Sequence, residues 1–88
     1  MTSIETFVVA PIGATNLAPP GIITAKNIIV HKTTILLVAE LRSSLFRKLH
    51  PVTIYALDDS GIIPDNVTYI GSITVGFEIK HFYIGEQQ

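Results

Sequence analysis

From Val67 onward the chain alternates. Val67, Tyr69, Ile73, Val75, Phe77 and Ile79 hold odd positions, while Asn66, Thr68, Ser72, Thr74, Glu78 and Lys80 hold even ones. A period of two over this length is the signature of a strand with one buried face. On that parity the odd set faces a core, and Ile70, Phe82 and Ile84 fall on the outer side. One strand of this length exceeds the usual size, so a bend or bulge is expected at Gly71 or Gly76. Past Lys80, the run His81-Phe82-Tyr83-Ile84 is apolar on both sides, which calls for a second covering surface.

Earlier segments read as strands too. Ile4 to Val9 forms the first and stops at Pro11. The stretch Pro11 to Gly21, with its prolines and glycines, reads as a loop. A second strand covers Ile22 to Val30, with an interruption expected near Lys26-Asn27. A third runs from Thr34 to Leu41 or Arg42. Pro51 opens a fourth, Val52 to Leu57, which Asp58-Asp59-Ser60-Gly61 closes with turn residues.

The region 38–49 supports two readings. Leu37, Leu41, Leu45 and Leu49 recur every fourth residue and would line one face of a helix ending at Pro51. Ile35, Leu37, Ala39 and Leu41 equally fit alternation. A faint internal echo favours the strand: Gly21-Ile22-Ile23 resembles Gly61-Ile62-Ile63, and Ala39-Glu40-Leu41-Arg42 resembles Phe77-Glu78-Ile79-Lys80. This reading makes 33–42 a strand and leaves 43–49 as a helical turn.

Composition tightens the class. The 88 residues include 48% hydrophobic and 15% charged side chains, against roughly a quarter charged in ordinary domains. A compact chain of this mass exposes about 5,100 Å² and buries roughly 63% of its extended surface, a thin margin for a monomer. No cysteine is present, so no disulfide, thiol nucleophile or Cys-based zinc site exists. The N-terminus has neither a basic nor a long apolar region of the signal-peptide kind. Ile35 to Ala39 is the longest apolar run, far short of the ~20 residues of a membrane helix. These features fit a soluble cytoplasmic protein, or one of a virion or host cytoplasm if of viral origin. A net charge of −1 gives no long-range steering toward nucleic acid or membrane.

Candidate chemistry is sparse. His31, His50 and His81 share no ligand spacing, and His81 has the parity of a partly buried histidine. Asp58, Asp59 and Asp65 surround a turn without the spacing of a calcium loop. Ser43 and Ser44 lack the glycines of a nucleophile elbow, and no glycine-rich phosphate loop is present. Asn66-Val67-Thr68 matches a glycosylation triplet without a secretory context. Charge alone is uneven: five of the six basic residues lie between positions 26 and 48, and five of the seven acidic ones after position 57. A basic edge of one subunit could therefore meet an acidic edge of the next.

The expected fold is all-β: a small antiparallel sandwich or barrel of about six strands with one short helical turn, in a single domain spanning 1–88. The alternative is α+β with a helix near 38–49. The expected function is a non-catalytic structural or protein-interaction module acting as a homo-oligomer, an assembly or adaptor subunit. Its contact would use Ile70, Phe77, Phe82, Tyr83, Ile84 and Tyr69, because aromatic side chains bury large areas with few rotatable bonds. Expected partners are a second copy or another protein. No cofactor, metal, membrane or small-molecule substrate is indicated. The alternative is a small nucleic-acid-binding β-barrel using Lys26, Lys32, Arg42, Arg47 and Lys48, with Phe46 as a stacking platform.

Overall fold

Abundant isoleucine, valine and threonine suit a pleated backbone, because branched side chains pack well against cross-strand neighbours. The computed structural model describes residues 1–88 and contains β1 (Thr2–Val9), β2 (Gly13–Leu17), β3 (Gly21–His31), β4 (Thr34–Ser43), β5 (Val52–Leu57), β6 (Val67–Val75) and β7 (Glu78–Gly85). A single 3-10 turn, Leu45–Arg47, is the only helical element. The helix considered for 38–49 is absent: Val38 to Ser43 continues β4, because alternate β4 residues fill the core.

Sheet A has the order β1-β4-β3 and sheet B the order β2-β5-β7-β6, both antiparallel. Their inner faces share one core. Sheet A contributes Val9, Ile23, Ile28, Ile35, Leu37, Ala39 and Leu41, and sheet B contributes Val52, Ile54, Ala56 and Phe82. The strand registers define two poles. The β3–β4 turn, the β6–β7 turn and the β1–β2 link share the turn pole. The loop pole carries the β4–β5 loop, the β2–β3 connection and the end of β7. No helix is long and apolar enough to cross a membrane.

Two features depart from the sequence reading and one bears it out. Gly13–Leu17 is a short edge strand inside the stretch expected to be loop; Pro11 and Pro19 flank it without interrupting its pairing with β5. The expected interruption of β3 is present as a bulge between Ala25 and Asn27. The long alternating segment is two strands, and its parity changes twice. A bulge between Tyr69 and Gly71 leaves Ile70 as an extra residue, and the two-residue turn Gly76-Phe77 pairs Val75 with Glu78. Gly76 supplies the positive φ of 63° at the first turn position.

The β6 bulge and the β6–β7 turn each move side chains across the sheet. Val67 and Tyr69 therefore leave the inner face, and Phe77 and Ile79 point to solvent. Phe82, expected outside, is 0% exposed in the core, while Ile70 and Ile84 pack against it from inside. These three are corrections to the expected outer surface. Lys80 takes the same inward parity as Phe82 and is buried.

Candidate interaction surfaces

On sheet A, the face turned away from the core is substantially apolar. Val8, Leu36 and Ile29 form one cross-strand row, and Thr6, Val38 and Asn27 form the next. Ile4 extends the patch along β1; it is 63% exposed and Val8 is 64% exposed. Toward the loop pole the rows turn polar through Glu40-Thr24 and Arg42. Lys26 pairs with Glu40 at 3.6 Å on this side. The sequence held a signal for this face: Ile35 to Ala39 is apolar at every position, which marks a strand with both faces in apolar surroundings.

The outer face of sheet B carries all the tyrosines of the chain in one row. Tyr55 pairs with Tyr83 across β5–β7, and Tyr83 pairs with Tyr69 across β7–β6. The rings of Tyr69 and Tyr83 lie 5.3 Å apart and tilted by 60°, an arrangement typical of favourable aromatic pairs. Beside them runs a polar chain. The Tyr69 hydroxyl lies 2.5 Å from Ser72 Oγ, Ser72 Oγ lies 2.7 Å from His81 Nδ1, and His81 Nε2 lies 2.6 Å from Asp59 Oδ1.

Asp59 belongs to the connection 58–66, which carries the chain from the turn pole to the start of β6 at the loop pole. A turn begins this segment, with the Gly61 amide donating to the Asp58 carbonyl at 3.0 Å. A 210 Å³ hollow lies between it and the sheet, lined by Asp59, Ile63, His81 and Tyr83. The hydrogen-bonded order of serine, histidine and carboxylate resembles an acyl-transfer relay, but Ser72 lies outside the hollow. The network's evident work is to fasten the connection to β7. Sequence spacing could not announce it, because pairing of β6 with β7 creates the contact between Ser72 and His81.

Lys80 projects between the sheets, where Asp58 and Glu78 receive its ammonium; the Glu78 contact is 3.0 Å. Hydrogen bonds to Asp58 and then Glu78 hold its pKa above the ordinary lysine value of 10.5.

The poles differ in shape. At the turn pole the sheets part around a cleft of about 760 Å³, whose lining includes Val9, Pro11, Val30, Ile35 and Val75. At the loop pole the Ser44–His50 segment projects outward, with Leu45 79% and Phe46 92% exposed. Phe46 and Arg47 have positive φ of 61° and 53°.

The expected contact residues are thus dispersed. Tyr69 and Tyr83 share the outer face of sheet B, Phe77 stands exposed at the turn pole, and Phe82, Ile70 and Ile84 line the interior. The five basic residues also fail to converge. Lys32 sits in the β3–β4 turn, Lys26 on β3 pairs with Glu40 on β4, and Arg42, Arg47 and Lys48 lie toward the loop pole. No group of three or more histidine and carboxylate side chains gathers into a metal site. Comparison with protein families, curated proteins and solved structures finds no match to this chain.

Proposed function

We propose that the chain is a non-catalytic structural or interaction module that works as a homo-oligomer, joining copies through the outer face of sheet A. One observation carries this reading: an uncovered apolar sheet face on a molecule with surplus surface. The accessible surface is 5763 Å², roughly 600–700 Å² more than a compact monomer of this mass presents. A standard interface removes about 800 Å² from each partner, so one such contact would absorb the surplus.

Val8, Leu36 and Ile29 supply a central apolar row, with Val38 and Ile4 beside it and Thr24, Glu40 and Arg42 as a polar border. That division between apolar centre and polar rim is the anatomy of protein interfaces. Two such faces pack as stacked sheets, with strand directions within about 30° of each other. A second copy presents the same face, so a two-fold arrangement satisfies both. Sedimentation velocity across micromolar concentrations tests the reading: the sedimentation coefficient rises with concentration, whereas a monomer at every concentration overturns it.

A further inference from the structure

We infer that the Ser44–His50 loop attaches the molecule to an anionic lipid surface, with Leu45, Phe46 and Leu49 entering the bilayer interface and Arg47 and Lys48 meeting the headgroups. The contact neither uses nor requires the outer face of sheet A.

The loop is braced from its own chain. The Ser44 amide donates to the Pro20 carbonyl at 3.0 Å, the His50 amide to the Pro19 carbonyl at 2.9 Å, and the Arg47 amide to the Ser44 carbonyl at 3.1 Å. Ser44 Oγ donates toward the Lys48 carbonyl at 2.8 Å and closes the turn. What the bracing holds out is apolar: Leu45, Phe46 and Leu49 are 79%, 92% and 58% exposed. Single exposed apolar residues are ordinary on a surface, whereas three within five positions of one loop form a patch. Phe46 and Arg47 also hold positive φ, a costly conformation for bulky L-residues that concentrates at functional positions.

The charges beside this tip are basic and unpaired. From Leu41 to Leu57 the chain holds Arg42, Arg47 and Lys48 and no carboxylate. None of the three enters an ion pair. On sheet A, Glu40 is taken by Lys26 and Glu5 lies opposite Ala39. Both sit three or four residues back from Ser43, roughly 10–14 Å at strand rise. Asp65 and Glu86 reach the loop pole on sheet B, lining a hollow that residues 44–50 do not join. The pole as a whole is close to balanced, so attraction acts at short range, within the ~10 Å Debye length of 0.1 M salt. At that range Arg47 and Lys48 are the charges the tip itself presents.

Size and shape favour a bilayer over the other occupants. A stable protein interface removes about 800 Å² from each partner over a matched surface, more than a convex tip of three apolar side chains offers. A bilayer needs no matched shape. Its interface takes apolar side chains to about 5–10 Å depth, while lysine and arginine stems lie alongside and keep their charges among the headgroups. A single-stranded nucleic acid needs aromatic platforms along a basic groove. Phe46 is the sole aromatic residue of this loop, and Lys26 and Lys32 lie away from it.

The chain contains no tryptophan, so one introduced indole reports alone. Phe46→Trp is mixed with phosphatidylcholine vesicles carrying roughly one-third phosphatidylserine, which supply the negative surface of an anionic leaflet. Its emission shifts to the blue and is quenched by brominated acyl chains. Phe77→Trp, at the exposed β6–β7 turn on the opposite pole, gives neither change. Flotation with the same vesicles reads affinity. Phe46→Gly, in which glycine accepts the local φ of 61°, binds about tenfold more weakly. Arg47→Gln and Lys48→Gln each lose about fivefold. An unshifted Phe46→Trp, equal shifts from both reporters, or undiminished flotation of Phe46→Gly overturns the lipid contact. A Phe46→Trp response to a single-stranded oligonucleotide or to excess wild-type chain, with none to vesicles, overturns it in favour of nucleic acid or a second copy.

Discussion

Asp59 meets His81 at 2.6 Å on the outer face of β7, at the point where the preceding residue of each, Asp58 and Lys80, meet on the inner face. Two adjacent aspartates thus hold an ammonium and an imidazole from adjacent residues on opposite sides of one strand. The alternation of side chains in an extended chain makes this possible, because neighbours point to opposite faces. The consequence is mechanical: the 58–66 connection is anchored from both sides as it leaves β5.

The inner half of that grip predicts an alkaline limit. The folded state holds the Lys80 proton more tightly than the unfolded chain does, because Asp58 and then Glu78 hydrogen-bond the ammonium. A raised folded pKa gives a contribution present below the ordinary value of 10.5, which is lost as pH rises through the folded value. Urea titrations from about pH 8 to about pH 11.5 on the wild type and Lys80→Met check this. The wild type loses more stability than the variant over the alkaline part of that range.

The reversed parity of β7 predicts a contrast between two phenylalanines. Phe82→Ala empties a fully buried site and costs about 3–5 kcal/mol. Phe77→Ala changes stability by no more than about 0.5 kcal/mol, since Phe77 is fully exposed at the hairpin tip. Denaturant midpoints of both variants check the pair. Equal losses would contradict the placement of Phe82 in the core.

That contrast shows how the sequence was legible and where it stopped being so. The β4 and β5 strands, the β3 interruption and the turn at Asp58–Gly61 were readable from local alternation, branched residues and turn chemistry. The faces of β6 and β7 were not, because the bulge at Ile70 and the turn at Gly76-Phe77 each reverse parity. Ignoring the turn inverted the inside and outside of Phe82 and Ile84, and ignoring the bulge inverted Val67, Tyr69 and Ile70. The sheet A patch was visible only as an apolar run within β4, since its contributions from β1 and β3 assemble through pairing. The cleft and the Ser72–His81 contact likewise depend on which strand ends the topology brings together.

Close approach of β3 to β4 at the loop pole predicts a position that admits only glycine. A Cβ on Gly21 would lie 2.1 Å from the Arg42 carbonyl oxygen, so the backbone itself must move. The Gly21 carbonyl also accepts a 2.8 Å hydrogen bond from Gln87 Nε2, whose partner atom Oε1 accepts from the Ile23 amide at 2.8 Å. Gly21→Ala therefore costs about 1–3 kcal/mol through overpacking, and thermal unfolding reads the loss. An unchanged midpoint would contradict this register.

The central claim is that the outer face of sheet A joins copies of the chain, and sedimentation equilibrium of wild type and Leu36→Lys side by side tests it most directly. Leu36 lies in the middle strand of that face, between Val8 and Ile29, so an ammonium there opposes pairing without entering the core. The account predicts a wild-type average mass that climbs above 9.6 kDa with concentration. It also predicts a lower mass for Leu36→Lys at each concentration, with its thermal midpoint retained. A wild type fixed at the 9.6 kDa chain mass, or two superimposable curves, would contradict it.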